Sequence, residues 1–294
     1  MLGEVVTAVV TPFDRNGAVD YEKFRELATF LVENGSDALV VCGTTGESPT
    51  LADDEKLALW EAAVDVLDGR APVIAGTGTY DTAHSAKLTE RAHELGVDGF
   101  LIVTPYYNKP PQRAIVRHFE EIAARSDKPI VAYNIPARVV IDIEPATIAQ
   151  LAEIDNVVAV KQAYDDMDEA RFIAQETRLD LYSGDDNITL PFLELGGVGV
   201  ISVVSHVWGV QIKDMIRRFR EGDIDGARAI DEQLAPAYDL LKVTTNPIPI
   251  KTALNLLGHE VGGFRLPMVE ATEDEVEQVR ACLDRGGVLT PAAL

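Results

Sequence analysis

Lys161 closes the apolar run Val157-Val158-Ala159-Val160-Lys161. A lysine leaving such a strand at the mouth of a barrel sits where desolvation favours the neutral amine. A neutral amine attacks a ketone and forms a Schiff base. Tyr107, Tyr133 and Thr45 carry hydroxyls that both donate and accept, so together they can relay protons to and from a carbinolamine. Arg138, in Asn134-Ile135-Pro136-Ala137-Arg138, offers a planar five-donor fork matched to a carboxylate. Each residue also has a plainer reading. The lysine can snorkel to the rim or pair with an acid, the tyrosines can simply pack, and the arginine can form a surface ion pair. Convergence of all of them on one end of a shared architecture is what points to imine chemistry.

Other motifs point to less. Gly43-Thr44-Thr45-Gly46 and Gly76-Thr77-Gly78-Thr79 lack the full dinucleotide or Walker spacing, so neither reads as a phosphate loop. Asp185-Asp186 has no ligand spacing with His84, His93, His118, His206 or His259; an Asp before a helix usually caps it, and no metal site is expected. Cys42 reads as an inert buried thiol. With only Cys42 and Cys282, far apart in a chain that reads as having no secretion signal, no structural disulfide is expected.

The elements that must position these residues alternate in a βα rhythm. Short runs rich in Val, Ile and Ala at residues 5–10, 38–41, 72–75, 99–103, 129–133, 157–160, 179–182 and 198–201 read as strands. Helices are expected over 21–33, 53–67, 81–95, 114–125, 145–153, 168–176, 187–195 and 210–220, with Asp53 and Asp81 as N-caps and Gly35 and Gly96 as stops. The strands are continuously apolar rather than alternating, as in a parallel sheet covered on both faces. Eight such units within about 220 residues fit a closed (β/α)8 TIM barrel, in which chemistry gathers at the C-terminal strand ends. Beyond Gly222 the strand signal stops. Residues 224–241, 250–257 and 273–284 read as a helical appendage, giving a barrel over 1–222 and a helical region over 223–294 packed on it.

Composition narrows the partners. The 294 residues include 26 Lys and Arg against 48 Asp and Glu, a formal net charge of −22, while 47% hydrophobic content is ordinary for a globular chain. Such a surface repels phosphate backbones and anionic membranes, so no nucleic acid or membrane partner is expected. An anionic substrate needs a local cation against that field, which is the part Arg138 would play. Neither an apolar run of about 18 residues nor a basic, apolar leader is present, which predicts a cytoplasmic protein.

Six segments carry a family resemblance: Gly43-Thr44-Thr45-Gly46-Glu47-Ser48, Val73-Ile74-Ala75-Gly76-Thr77-Gly78, Val103-Thr104-Pro105-Tyr106-Tyr107-Asn108, Tyr133-Asn134-Ile135-Pro136, Ser183-Gly184-Asp185-Asp186 and Asn246-Pro247-Ile248-Pro249-Ile250-Lys251. On these the chain resembles, over essentially its whole length, the dihydrodipicolinate synthase and N-acetylneuraminate lyase superfamily of class I, Schiff-base aldolases, and most closely its synthase branch. The resemblance implies a lyase of lysine and diaminopimelate biosynthesis that condenses pyruvate with L-aspartate semialdehyde. Lys161 would form the imine, and Tyr133, Thr45 and Tyr107 would relay protons. Thr44 and Thr45 would hold the pyruvate carboxylate, with Gly184 and Val203 also against substrate, and Arg138 would bind the aldehyde's carboxylate. No cofactor is implied, because the protonated imine is itself the electron sink. Tyr107 would reach into a neighbour's site within a homotetramer of tight dimers. Two departures stand out. Val139-Val140 replaces the family's frequent Thr-Gly, and Gln162 stands where Glu is common. A pyruvate lyase acting on another 2-keto acid, such as 2-keto-3-deoxygluconate, and a non-catalytic 2-keto-acid binder are the alternatives. Lysine-sensitive members carry His, Asn and Glu in an inhibitor pocket where this chain has Asp53, Lys56, Tyr80 and His84 beside Tyr106, which implies weak or absent inhibition by L-lysine.

Overall fold

The computed structural model describes residues 2–289, so 290–294 of the expected helical tail lie outside the described residues. Eight parallel strands close into a barrel in the order β1 to β8, with β1 paired to both β2 and β8. They are β1 (Val5–Ala8), β2 (Ala38–Val41), β3 (Val73–Gly76), β4 (Gly99–Val103), β5 (Ile130–Asn134), β6 (Val157–Gln162), β7 (Asp180–Ser183) and β8 (Gly199–Ser202). Alternation along each strand splits the core in two. Val6, Ile74, Val131, Ala159 and Ile201 fill the barrel interior, while Val5, Val73, Ala75 and Val160 face the helices. Lys161 and Tyr133 have the parity of Ala159 and Val131, so both point inward.

The covering helices are α1 (Tyr21–Glu33), α2 (Asp53–Leu67), α3 (Thr82–Glu94), α4 (Gln112–Ala123), α5 (Pro136–Val139), α6 (Pro145–Leu151), α7 (Met167–Glu176), α8 (Thr189–Leu195) and α9 (Ser205–Arg220). They are followed by α10 (Ile224–Gln233), α11 (Ala235–Leu240), α12 (Ile248–Leu256) and α13 (Glu273–Arg285), with α10 on α9 and α13 against α11 and α12. Among the described residues no helix is long and apolar enough to cross a membrane.

Several expectations need correction. Asp53 is not the cap of α2: Ala52 takes that place, its N–H donating to Glu55 Oε2 at 2.9 Å, and Asp53 turns instead to His84. Asp81 does cap α3, accepting from Ala83 N at 2.9 Å, and Gly35 and Gly96 adopt the expected positive φ of +105° and +83°. The helix expected over 224–241 breaks at Leu234, because Pro236 has no N–H to continue it. The helix expected from 210 starts at Ser205, with non-helical backbone at Trp208. Strand β6 runs to Gln162 and β5 to Asn134, so Lys161 and Tyr133 are each followed by a further paired residue. Gly76 serves packing: a Cβ there would lie 2.4 Å from the Cys42 carbonyl oxygen, which gives its Gly-Thr-Gly segment a steric origin.

Candidate active site

Strands β5 and β6 bring Tyr133 and Lys161 opposite one another as Cα partners. The Lys161 Nζ lies 4.3 Å from the centre of the Tyr133 ring, and both side chains are buried. Around them opens a cavity of about 310 Å³, lined by Thr44, Thr45, Tyr133, Arg138 and Lys161 and bordered by Gly184 and Val203. Gly184 lets β7 leave close to β6: its N–H donates to the Gln162 carbonyl at 2.7 Å, and a Cβ would press to 2.6 Å from that of Ala163. Val203 is set by Asp186, which accepts from the N–H groups of Val203 at 3.0 Å and Val204 at 3.4 Å and from the Ser202 hydroxyl. Asp186 therefore tethers the next β-strand's exit rather than capping its own helix.

Arg138 rides on the single turn α5 at the rim. Its guanidinium donates to the Asn246 carbonyl at 3.2 Å, and among the described residues no carboxylate pairs with it. It is thus an available cation in a chain of net charge −22. Asp185 stands in the same cavity wall. Desolvation pushes its carboxyl up, against the pull of Lys161 and Arg138.

Asn246 was not among the site residues read from the sequence, although its motif was quoted. It donates to the Thr45 Oγ1 at 2.9 Å, while its own Oδ1 is buried without a partner. Behind it lies a second tether. Lys251, fully buried, donates to the Thr11 carbonyl at 2.9 Å, to Glu47 Oε1 at 3.0 Å and to the Gly263 carbonyl, beneath the Phe13 and Phe264 rings. Glu47 Oε2 accepts from Arg265 N at 3.2 Å, and the Arg265 guanidinium grips Glu55. These contacts hold the Gly43-Thr44-Thr45-Gly46-Glu47 turn, where Cys42 just before it and Glu47 at its end carry φ of +61° and +55°. Burial pushes the Cys42 thiol up, away from the reactive thiolate.

Tyr107 does not enter this cavity. It is 91% exposed with φ +73°. Tyr106 instead lines an adjoining chamber of about 200 Å³ together with Cys42, Tyr133 and the buried Val139. Val140 points outward, 62% exposed, at φ +72°.

A closed (β/α)8 barrel with a buried lysine, a phenol and an arginine around one mouth is a TIM barrel whose site can form an imine with a keto acid. The chain matches the model of the dihydrodipicolinate synthetase family over residues 1–285, and it belongs to that family. It is 48% identical to the 4-hydroxy-tetrahydrodipicolinate synthase of Moorella thermoacetica over 289 residues, 98% of this chain and 99% of the relative. Among solved structures, the dihydrodipicolinate synthase of Cyanidioschyzon merolae with lysine bound is similar at a TM-score of 0.96 and 43% identity, over 98% of this chain and 99% of that one. The Acinetobacter baumannii enzyme complexed with pyruvate is similar at a TM-score of 0.95 and 33% identity, over 98% and 100%.

Proposed function

We propose that the protein condenses pyruvate with L-aspartate semialdehyde to 4-hydroxy-tetrahydrodipicolinate, in the cytoplasm. The observation that carries this reading is Lys161 Nζ poised 4.3 Å from the Tyr133 ring in a cavity that also holds Arg138. The Lys161 amine attacks C2 of pyruvate, and loss of water leaves the imine. Tyr133, with Thr45, moves the protons that this step and enamine formation require. Thr44 and Thr45 hold the pyruvate carboxylate, with Gly184 and Val203 against its body. The enamine carbon then attacks the aldehyde, whose carboxylate Arg138 binds, and the amino group of that substrate attacks the imine carbon and displaces the Lys161 amine as the ring closes. Tyr107, displayed on the surface, completes the relay of a neighbouring copy, so a tight dimer completes each site, within a homotetramer.

Borohydride added with pyruvate tests this reading. Reduction of the imine should leave a pyruvyl-derived mass on Lys161 and abolish turnover. An adduct on Lys251, or none, would overturn it. Turnover of aspartate semialdehyde set against cleavage of 2-keto-3-deoxygluconate separates the synthase from a related lyase.

A further inference from the structure

Behind Tyr133 and Lys161, on the helix side of the barrel, the next residues of β5 and β6 begin a polar cluster that the chemistry above does not use. Asn134 and Gln162 are register partners. Asn134 Nδ2 donates to Asp142 Oδ1 at 2.6 Å and lies 3.1 Å from both Gln162 Oε1 and Glu169 Oε1. Gln162 Nε2 donates to Glu169 Oε1 at 2.9 Å, a bond that a glutamate at this position would lack. The Tyr164 hydroxyl lies 2.6 Å from Glu169 Oε2 and 3.0 Å from Asp142 Oδ2.

One phenol thus faces two carboxyl groups with a single hydrogen to give. Ionised carboxylates only accept, so with both charged, one of these short contacts would set two lone pairs against each other. A proton on Glu169 resolves the conflict: Glu169 donates to Tyr164, and Tyr164 donates to Asp142. Glu169 is the better holder because it is buried, whereas Asp142 is half-buried. We infer that Glu169 and Asp142 share one proton through the Tyr164 hydroxyl, and that this bridge positions the Arg138 loop over Lys161.

The surroundings agree. Desolvation first, then the charges of Asp142 and Asp166, push the Glu169 carboxyl up to about 7, against the hydrogen bonds that Tyr164 and Gln162 would give its ionised form. Of the neighbouring elements, α6 brings no titratable group, α8 brings Glu194, which is tied to Arg228 at 2.9 Å, and β7 brings Asp180, at the opposite strand end, and Tyr182. Among the described residues no cation pairs with Asp142, Asp166 or Glu169. The bridge also closes the base of the segment carrying Arg138, because Asn134 precedes that segment and Asp142 ends it. The Ile143 N–H donates to Asn134 Oδ1 at 3.2 Å, and Gln112 Nε2 donates to the Asp142 carbonyl at 2.7 Å.

The positioning role rests on the reading of Arg138 given above, but the shared proton does not, so two measurements separate them. A glutamate that keeps its proton only when folded binds more protons folded than unfolded, so wild-type stability falls as pH rises through the interval from the ordinary carboxyl range to about 7. Glu169→Gln lacks this fall, so its melting temperature relative to wild type should increase from about pH 5 to about pH 8. A constant difference would overturn the shared proton. For the positioning role, Glu169→Ala should raise KM for the aldehyde about 10-fold while leaving pyruvate KM and borohydride trapping unchanged, with recovery in Glu169→Gln. Tyr164→Phe, which keeps the ring, should give the same split. Equal effects on both substrates would overturn the positioning role, and a wild-type protein inert toward aspartate semialdehyde would overturn the functional reading while leaving the melting comparison intact.

Discussion

Tyr133 and Lys161 face each other across the β5–β6 ladder, and the ring of one lies under the amine of the other at 4.3 Å. The phenol therefore has two separable parts, a ring that packs and a hydroxyl that can donate and accept a proton. Tyr133→Phe keeps the first and removes the second. Its kcat should fall about 100-fold or more, the range expected for losing a positioned proton donor. Thermal stability should stay near wild type, and borohydride trapping on Lys161 should persist at a slower rate. Unchanged steady-state kinetics would leave Tyr133 with packing alone.

Among the described residues the Arg138 guanidinium hydrogen-bonds to the Asn246 carbonyl and pairs with no carboxylate. On the proposed reading, its removal deprives an incoming carboxylate of a cation without unpairing a buried acid. Arg138→Ala should raise KM for the aldehyde 10-fold or more, roughly 1.4 kcal/mol, with a smaller change for pyruvate. Parallel titrations of the two substrates in steady state make the comparison.

Val140 occupies backbone space that a β-branched residue rarely enters, φ +72°, with most of its side chain in solvent. Relief of that conformation, about 1–2 kcal/mol, opposes the greater freedom glycine gains when unfolded, about 1 kcal/mol. Val140→Gly should therefore leave stability unchanged or raise it by up to about 1 kcal/mol in urea unfolding. A clear loss would mean that the exposed isopropyl group makes a contact beyond this chain.

At the start of α2 and α3, His84 Nε2 lies 3.0 Å from Asp53, and Tyr80 stacks edge-on against Tyr106 with ring centres 5.3 Å apart. Asp53 is thus already engaged by a neighbour, and Lys56 adds a charge of the same sign as a lysine ammonium. Millimolar L-lysine should leave the rate at saturating pyruvate within about twofold of its uninhibited value, in contrast to what a tight ligand would produce. Calorimetric titration giving a strong site at Tyr106 would contradict this.

The barrel was legible because each strand is a short apolar run and each helix an amphipathic one; Lys161 and Tyr133 stood out as polar groups at the ends of two such runs, and Arg138 as a cation in the segment that follows one of them. What could not be read were contacts set by closure of the barrel. Asn246 meets Thr45 and Lys251 meets Glu47 across separations of 201 and 204 residues, and no local pattern encodes such pairs. The Asn134–Gln162–Glu169 cluster was hidden for a related reason: one strand register unites it, while its members sit in three ordinary-looking segments. Asp53 was misplaced as a cap because its composition fits that position, whereas Ala52 and Glu55 do the same task through backbone and side chain.

The tether of the Thr44–Thr45 turn by Asn246, Lys251 and Arg265 also sets an order of events during synthesis. All eight strands are synthesised before the ribosome reaches these three residues, so the Thr44–Thr45 turn is complete as a chain segment well before the side chains that hold it in place exist.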